Sequence, residues 1–251
     1  RMDRSKPRIG LLLTCLVEFF RPSVGRGARS LLEQSGATVE TPTGAVCCGQ
    51  PAYNAGDMRT SAALAEQLAA AYAPFDQVVV PSGSCAGMIR LHYPRLFPGR
   101  QDIAALAAKT FELTEYLVAR QDFAPKGKLA AHAAYHDSCS SLREVEVEAA
   151  PRQLLAKLEG LTLSNLPTAR ACCGFGGTFC VKYPEISARM AAEKCAEVRA
   201  TGAELLLGND LGCLLHLAGT LKRDGAATQV RHLAEVLAGG EMTPAIGEGE
   251  A

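Results

Sequence analysis

Ten cysteines lie in this chain of 251 residues, and eight of them follow one repeated order. A single cysteine, an adjacent Cys-Cys-Gly and a further cysteine occur twice. The first quartet is Cys15, Cys47, Cys48 and Cys85, and the second quartet is Cys139, Cys172, Cys173 and Cys213. The intervals are 32 and 37 positions in the first quartet and 33 and 40 in the second. Because cysteine thiolates hold iron-sulfur clusters, this pattern predicts that each quartet binds iron and sulfide.

Glycines follow both Cys-Cys pairs. Gly49 comes directly after the first pair, and Gly174, Gly176 and Gly177 follow the second. Glycine adopts positive φ readily and lets the backbone approach a bound group, so these residues are expected to line cluster-binding loops. A helix predicted to begin near Ser84 would aim backbone N–H groups at the thiolates, which adds Ser84 to the predicted binding residues.

A structural zinc site is the main alternative for four cysteines. Such sites generally use C-x-x-C hooks, whereas two adjacent cysteines leave little freedom for both side chains to reach one small ion. A larger multi-iron core accepts neighbouring thiolates more easily, so the spacing favours iron and sulfide. A zinc-binding or thiol-redox structural module stays open as an alternative.

Two further cysteines, Cys180 and Cys195, have no counterparts in the first half. A cysteine outside such a pattern is more often a small buried apolar residue, so we expect both to serve packing. Cys180 follows the second Cys-Cys pair closely and could also act as a spare thiolate.

Short apolar runs alternate with longer helical patterns, which predicts an α/β fold of two pseudo-symmetric, Rossmann-like halves with parallel sheets. Strands are expected near residues 8–14, 38–41, 77–81, 131–136, 161–165 and 204–207. Helices are expected near residues 25–34, 57–72, 151–159 and 184–201. The cysteines of both quartets then follow strands. Because ligands bind at the carboxyl ends of parallel strands, the members of each quartet should converge there.

The segments 111–117 and 231–237 also resemble each other, which supports a duplication. We expect one repeat at residues 1–124, a second at 125–240 and a disordered tail at 241–251. The boundary is placed where Pro125 and Gly127 interrupt the periodic pattern, and the tail is polar and contains glycine.

Composition excludes several classes of protein. The 26 basic residues balance the 26 acidic ones, so the chain lacks the positive charge of a nucleic-acid-binding protein. No apolar run is long enough to predict a membrane span. An alanine- and leucine-rich chain with helical periodicity does not need the disulfides of a small secreted scaffold, so we expect reduced thiols and a cytoplasmic location.

Several motifs together resemble the cysteine-rich CCG domain family, whose domain occurs twice in one of the heterodisulfide reductase proteins and in glycolate oxidase iron-sulfur subunits. The chain looks similar to the lactate-utilization members of that family, over nearly its whole length. The motifs are GQPAYN at 49–54, PSGSC at 81–85, YHDSC at 135–139, CCGFGGTF at 172–179 and VKYPEIS at 181–187.

The resemblance implies one or two iron-sulfur clusters, in the first instance 4Fe-4S. It also implies that the protein is an electron-transfer component, an oxidoreductase subunit in the oxidation of L-lactate to pyruvate. Its partners would be a second iron-sulfur protein and a further subunit. A catalytic iron-sulfur oxidoreductase that acts directly on a disulfide or another small substrate is the alternative within the family.

The sequence departs from the fuller family pattern, which ends each repeat with C-x-x-C. Ser82 and Asp210 stand where the additional cysteines would be. Four thiolates suffice for an ordinary cluster, but Ser82 or Asp210 could supply an oxygen ligand. No residue is assigned a catalytic role. His136, Asp137 and Lys182 are candidates for polar contacts around a cluster.

Overall fold

The structure is a computed structural model that describes residues 6–44, 47–120, 122–239 and 243–248. These residues form two similar α/β halves, each built on a four-stranded parallel sheet. The first sheet contains Arg8–Leu11 (β1), Thr38–Glu40 (β2), Gln77–Val80 (β3) and Thr110–Glu112 (β4). The second contains Lys128–His136 (β5), Glu159–Asn165 (β6), Leu205–Gly208 (β7) and Gln229–His232 (β8). The predicted fold class is confirmed.

Both sheets have the same strand order, β2-β1-β3-β4 in the first half and β6-β5-β7-β8 in the second. In the first sheet Ile9 pairs with Val39 on one side and with Gln77 on the other. Ala133 pairs in the same way with Leu163 and Leu205. In each sheet, the strand that follows β1 or β5 is added on one side of it, and the next two strands are added on its other side. Such a reversal opens a crevice at the carboxyl ends of the two central strands.

Helices cover the sheets, and their starts follow from local sequence. Pro22 and Pro184 occupy first helical positions, where the missing N–H of proline is not needed. The helices are Cys15–Phe20 (α1), Pro22–Gln34 (α2), Gln50–Ala55 (α3), Met58–Tyr72 (α4), Gly83–Gly87 (α5), Tyr93–Leu96 (α6), Gln101–Ala108 (α7), Leu113–Val118 (α8), Cys139–Arg143 (α9), Ala149–Leu155 (α10), Phe179–Lys182 (α11), Pro184–Ala200 (α12), Leu211–Arg223 (α13) and Leu233–Ala238 (α14). A π-helical turn, Met88–His92, joins α5 to α6. Among these described helices, none combines the length and apolarity needed to cross a bilayer.

The halves share a continuous apolar core. Buried side chains from β1, α2 and α8 belong to the same cluster as those from β5, β7 and α13. Helix α2 lies so close to α14 that a Cβ on Gly27 would be 2.7 Å from the backbone oxygen of Ala234. At the edge of this contact Arg21 Nε donates to Glu235 Oε1 over 2.8 Å. The two repeats therefore pack as one unit.

Residues 243–248, within the predicted disordered tail, are packed against the second half. Ile246 donates its backbone N–H to Val230 O over 2.8 Å, and its side chain is 5% exposed. Arg231 reaches the backbone oxygen of Thr243 over 2.5 Å. The buried side chains of Ala245 and Ile246 and hydrogen bonds from Arg21, Arg231 and Lys222 thus hold a segment whose composition suggested disorder. Residues 241–242 and 249–251 lie outside the described residues, and the repeat boundary at 124/125 stays a prediction.

A buried carboxyl group caps α8. Glu112 is fully buried, and its Oε2 accepts backbone N–H groups of Thr114 and Glu115 over 2.7 and 3.3 Å. Its Oε1 has no hydrogen-bond partner among the described residues. Burial raises the pKa of Glu112 from an ordinary 4.5 to about 7. The native protein therefore keeps a proton that the unfolded chain releases between these two values.

This difference predicts that stability falls as pH rises from about 5 to about 8, by at most roughly 1.4 kcal/mol per pH unit. Glu112→Gln should remove that part of the slope, because an amide stays neutral throughout and can still accept the cap hydrogen bonds. Urea unfolding of both proteins at the two pH values tests this. An equal difference between variant and wild type at both pH values would contradict it.

Candidate metal centres

The first quartet gathers at the carboxyl ends of β1 and β3. Cys15 is the first residue of α1, whose N-cap Thr14 accepts the N–H of Val17 over 3.4 Å. Cys85 is the third residue of α5, which follows β3. The Cys47-Cys48 pair lies in the loop before α3.

The sulfurs of the first quartet meet in pairs. Cys48 Sγ is 3.2 Å from Cys85 Sγ, and the thiols of Cys15 and Cys47 share a hydrogen bond. The fold thus brings together four thiols that span 70 positions of sequence, between Cys15 and Cys85.

The second quartet repeats this arrangement. Cys139 begins α9 behind the N-cap Ser138, and Cys213 is the third residue of α13 after β7. Cys139 Sγ lies 4.0 Å from Cys172 Sγ, while Cys173 is hydrogen-bonded to Cys172 and Cys213. Corresponding cysteines of the two quartets have the same burial. The buried ones are Cys48, Cys85, Cys173 and Cys213, and the half-buried ones are Cys15, Cys47, Cys139 and Cys172.

Backbone N–H groups point at the sulfurs, as a thiolate site requires. Gly49 N donates to Cys47 Sγ and Gly174 N to Cys172 Sγ, each over 3.4 Å. The hydrogen bond from Cys15 lowers the pKa of Cys47 to about 6. The hydrogen bond from Cys139 likewise lowers the pKa of Cys172 to about 2. The first cysteine of each pair is therefore the thiol that ionises most readily.

Five other thiols of the quartets have raised pKa values, namely Cys15, Cys85, Cys139, Cys173 and Cys213. A hydrogen bond to Cys47 raises the pKa of Cys15, and a hydrogen bond to Cys48 raises that of buried Cys85. A hydrogen bond to Cys172 raises the pKa of Cys173 in the same way. Several thiols packed together cannot all ionise without a compensating positive charge. A bound cation or cluster would supply that charge and draw the protons off.

In the described part of the chain, neither quartet has the equal sulfur spacing of a closed zinc site. In a tetrahedral zinc site with bonds of about 2.3 Å, all sulfurs lie about 3.8 Å apart. In the described part of the chain, the one trio of possible metal ligands within 4.8 Å of one another is His136, Cys173 and Cys213. Three thiols of either quartet never come that close together there, although Cys48 Sγ and Cys85 Sγ are 3.2 Å apart, so the thiols meet in pairs and do not surround a single point.

His136 is buried beside the second quartet, and neither ring nitrogen has a hydrogen-bond partner in the described chain. Burial, together with the charge of Lys194, lowers the pKa of His136 to about 4. The ring is therefore neutral near pH 7 and keeps a nitrogen lone pair. An unpartnered buried nitrogen of this kind can contact a bound cluster or its sulfurs.

The two other candidates for polar contacts differ from His136. Asp137 is buried and accepts two hydrogen bonds from Arg152, from Nη1 to Oδ1 over 2.8 Å and from Nη2 to Oδ2 over 2.7 Å. That ion pair gives Asp137 a structural partner. Lys182 is exposed at the end of α11, and its side chain makes no hydrogen bond or ion pair within the described residues.

The four glycines predicted to line the cluster-binding loops have the positive φ on which that prediction was based. Gly49, Gly174, Gly176 and Gly177 all have positive φ, between 52° and 90°. The Gly174 loop packs against α12, where Ser187 Oγ donates to Gly174 O over 2.8 Å. Their role in binding a cofactor stays a prediction.

Ser82, Ser84 and Asp210 meet between the halves. Ser84 N donates to Asp210 Oδ2 over 3.0 Å, and Ser82 Oγ donates to the same oxygen over 3.3 Å. Ser84 is therefore linked to Asp210 rather than to a sulfur.

The cysteines without counterparts lie outside the quartets. Cys195 is fully buried, with Sγ 3.7 Å from Leu217 O. Cys180 Sγ is 3.2 Å from Gly177 O, at the edge of the second Cys-Cys loop.

One residue that supports the first quartet was not predicted from the sequence. Buried Tyr93 donates its hydroxyl to Cys48 O over 2.9 Å. Tyr93 follows the π-helical turn, and no spacing in the sequence indicates this contact.

Two cavities lead to the quartets and differ in character. An apolar cavity of about 260 Å³ reaches Cys15, Cys48 and Cys85. Its other walls include Leu16, Pro51, Phe175, Val181, Leu211 and Gly212. A polar cavity of about 240 Å³ reaches Cys139 and Cys213, and Tyr53, Asn54, His92, Ser140 and Glu144 line it. Gln50, Ser84, Phe175, Gly177 and Asp210 border both cavities.

Comparison with known proteins agrees with this division into two repeats. Residues 9–90 and 133–218 each match the CCG family, which is described as a cysteine-rich domain. The chain is 40% identical over 240 residues to lactate utilization protein A 2 of Bacillus cereus (strain AH820), a match that covers 93% of this chain and 98% of the relative. It is 43% identical over 235 residues to lactate utilization protein A of Geobacillus kaustophilus (strain HTA426), covering 92% and 98%.

A solved structure shares the fold. The crystal structure of a hypothetical protein from Helicobacter pylori superimposes with a TM-score of 0.62 at 13% sequence identity. The match covers 94% of this chain and 50% of that chain, so this chain spans half of the length of that protein.

Proposed function

Since the chain belongs to the cysteine-rich CCG domain family, and to the lactate utilization A group within it, we propose that it is an iron-sulfur electron-transfer protein. Two thiol quartets at the switch points of two parallel sheets support this proposal most directly. The amide groups that donate to Cys47 and Cys172 add to the support. A cluster bound there would accept and release an electron.

In this proposal the first quartet would hold one cluster and the second quartet another, each of the 4Fe-4S type. The surroundings of the two clusters would differ. Leu16, Pro51 and Val181 provide the apolar surroundings of the first quartet. His136 provides a neutral imidazole at the second.

The electrons would come from the oxidation of L-lactate to pyruvate. The relatives carry the name lactate utilization protein A, and on that basis we place this chain in the same process. We propose that it works in the cytoplasm as an oxidoreductase subunit with a second iron-sulfur protein and a further subunit. Lactate itself would react on another subunit.

The polar cavity supports a relay in preference to lactate binding on this chain. Lactate and pyruvate are carboxylates, which proteins generally recognise with arginine or lysine. Among the described residues that line the polar cavity there is neither, whereas Glu144 and Asp210 are both present. A carboxylate in this cavity would meet negative groups and no cation.

A second candidate is direct reaction with a disulfide or another uncharged small substrate. The polar cavity favours it, because this space borders Cys139 and Cys213. Turnover by the isolated protein with a reduced dye and a disulfide substrate separates the candidates. The relay predicts no turnover in the absence of partner subunits.

Anaerobic purification followed by iron, zinc and acid-labile sulfide analysis tests the proposal. We expect iron and sulfide in comparable amounts, thiolate-to-iron absorption near roughly 400 nm and a paramagnetic signal after reduction. A chelator-treated sample is the control and should lose all three features. Stoichiometric zinc without sulfide would instead identify the zinc-binding structural module.

A further inference from the structure

Asp210 occupies an unusual place in the duplicated fold. It is 5% exposed, directly precedes α13 and lies three residues before Cys213. An aspartate at the N-cap generally accepts an N–H group of its own helix. Asp210 makes no such bond to α13.

Its carboxylate instead crosses to the other repeat. Oδ2 accepts Ser84 N over 3.0 Å and Ser82 Oγ over 3.3 Å, although Ser84 is 126 positions away. The equivalent residue of the first repeat behaves differently, because Ser82 accepts the N–H of Cys85 over 3.3 Å and so caps its own helix. One repeat therefore supplies an acid at this position and the other a neutral hydroxyl.

The carboxylate lies next to both quartets. Its hydrogen-bond partner Ser84 directly precedes Cys85 of the first quartet, and Asp210 itself lies three residues before Cys213 of the second. It also borders both the apolar and the polar cavity. A charge that is so little exposed is screened weakly by water and salt.

The geometry points to Asp210 as a single negative charge shared by the two quartets, which lowers the reduction potential of the groups bound at both. The physical reason is that adding an electron next to a fixed negative charge costs free energy. In this inference Asp210 acts through its charge across the repeat interface and is not a ligand, and its Oδ2 accepts two hydrogen bonds from the other repeat. This inference rests on the proposed function.

Asp210→Asn tests the inference, because the amide oxygen can still accept the N–H of Ser84 while the charge is lost. Iron and sulfide are measured first, and potentiometric titration followed by paramagnetic resonance then gives both midpoint potentials. We expect unchanged iron and an upward shift of both midpoints. Asp210→Ser, which restores the residue type of the first repeat, should shift both in the same direction and serves if the asparagine variant folds poorly.

Asp224→Asn is the matched control. It removes the same charge from the other end of α13, about 20 Å away along the helix axis. Asp224 pairs with Arg199 at the surface, and its loss should leave both midpoints in place.

The outcomes separate cleanly. Midpoints that stay unchanged, or a shift of one midpoint alone, would overturn the shared charge while leaving the electron-transfer proposal intact. Loss of iron in a folded Asp210→Asn protein would show that Asp210 is a ligand and would also overturn it. Wild-type protein without iron and sulfide would overturn the proposed function and this inference together.

Discussion

Cys173→Ser should lose about half of the bound iron and sulfide, since the second quartet alone is disrupted. Cys173 is 2% exposed and hydrogen-bonded to both Cys172 and Cys213, so its removal breaks the centre of that quartet. The fold should persist, because a continuous apolar core extends through both halves. Metal analysis, with circular dichroism as the check on folding, measures the result.

Two further substitutions sharpen this test. Cys48→Ser changes the corresponding cysteine of the first quartet and should remove the other half of the iron. Cys195→Ser is the matched control, because Cys195 is fully buried but lies outside both quartets. Equal iron loss in Cys173→Ser and Cys195→Ser would mean that the loss reports a damaged fold. Full iron in Cys173→Ser would remove this residue from the proposed ligands.

Gly174→Ala should destabilise the protein by about 2 to 4 kcal/mol. Gly174 has φ of +90°, which side chains rarely tolerate, and a Cβ there would lie 2.5 Å from Ser187 O. The backbone oxygen cannot move without disturbing α12, so the second Cys-Cys loop should shift and its iron occupancy should fall. Urea unfolding of the metal-free protein gives the stability loss, and metal analysis gives the occupancy.

Gly202→Ala separates backbone strain from collision. Gly202 also has positive φ, +69°, but no atom lies within 4 Å of an added Cβ. We expect a loss of about 1 kcal/mol from the left-handed conformation alone. Equal losses in the two variants would show that the contact with Ser187 has no energetic weight.

The architecture could be predicted because strong local patterns carry it. The apolar runs that form β1, β3, β5 and β7 are buried in the structure, and the order of the cysteines revealed the duplication. The edge strands β4 and β8 were missed, since they are short and carry buried polar residues such as Glu112 and His232. The sequences of β4 and β8 resemble each other, but their polar residues do not form the apolar pattern that predicts a strand.

Helix boundaries show a second limit. The helix expected at 151–159 is observed as α10, Ala149–Leu155, because β6 already begins at Glu159. The spacing of apolar residues alone does not show where α10 ends and where β6, which pairs with β5, begins. Tertiary contacts decide that boundary.

The convergence of the thiols followed from sequence, but their surroundings did not. Each cysteine of the two quartets lies in the segment that follows a strand, and that placement is local. The contact between Asp210 and Ser84 depends on how two repeats face each other, which no periodicity records. The same holds for Asp137, whose partner Arg152 comes from α10, and for the neutral state of buried His136.

The apolar cavity also bears on the order of assembly in the cell. Every thiol of the first quartet has been synthesised by residue 85, yet Phe175, Leu211 and Gly212 complete the walls around it. A ribosome that has finished the first repeat therefore presents these sulfurs without their cover. If the first quartet holds a cluster as proposed, that cluster should be inserted only after the second repeat has been made, and prematurely terminated chains should expose oxidisable thiols.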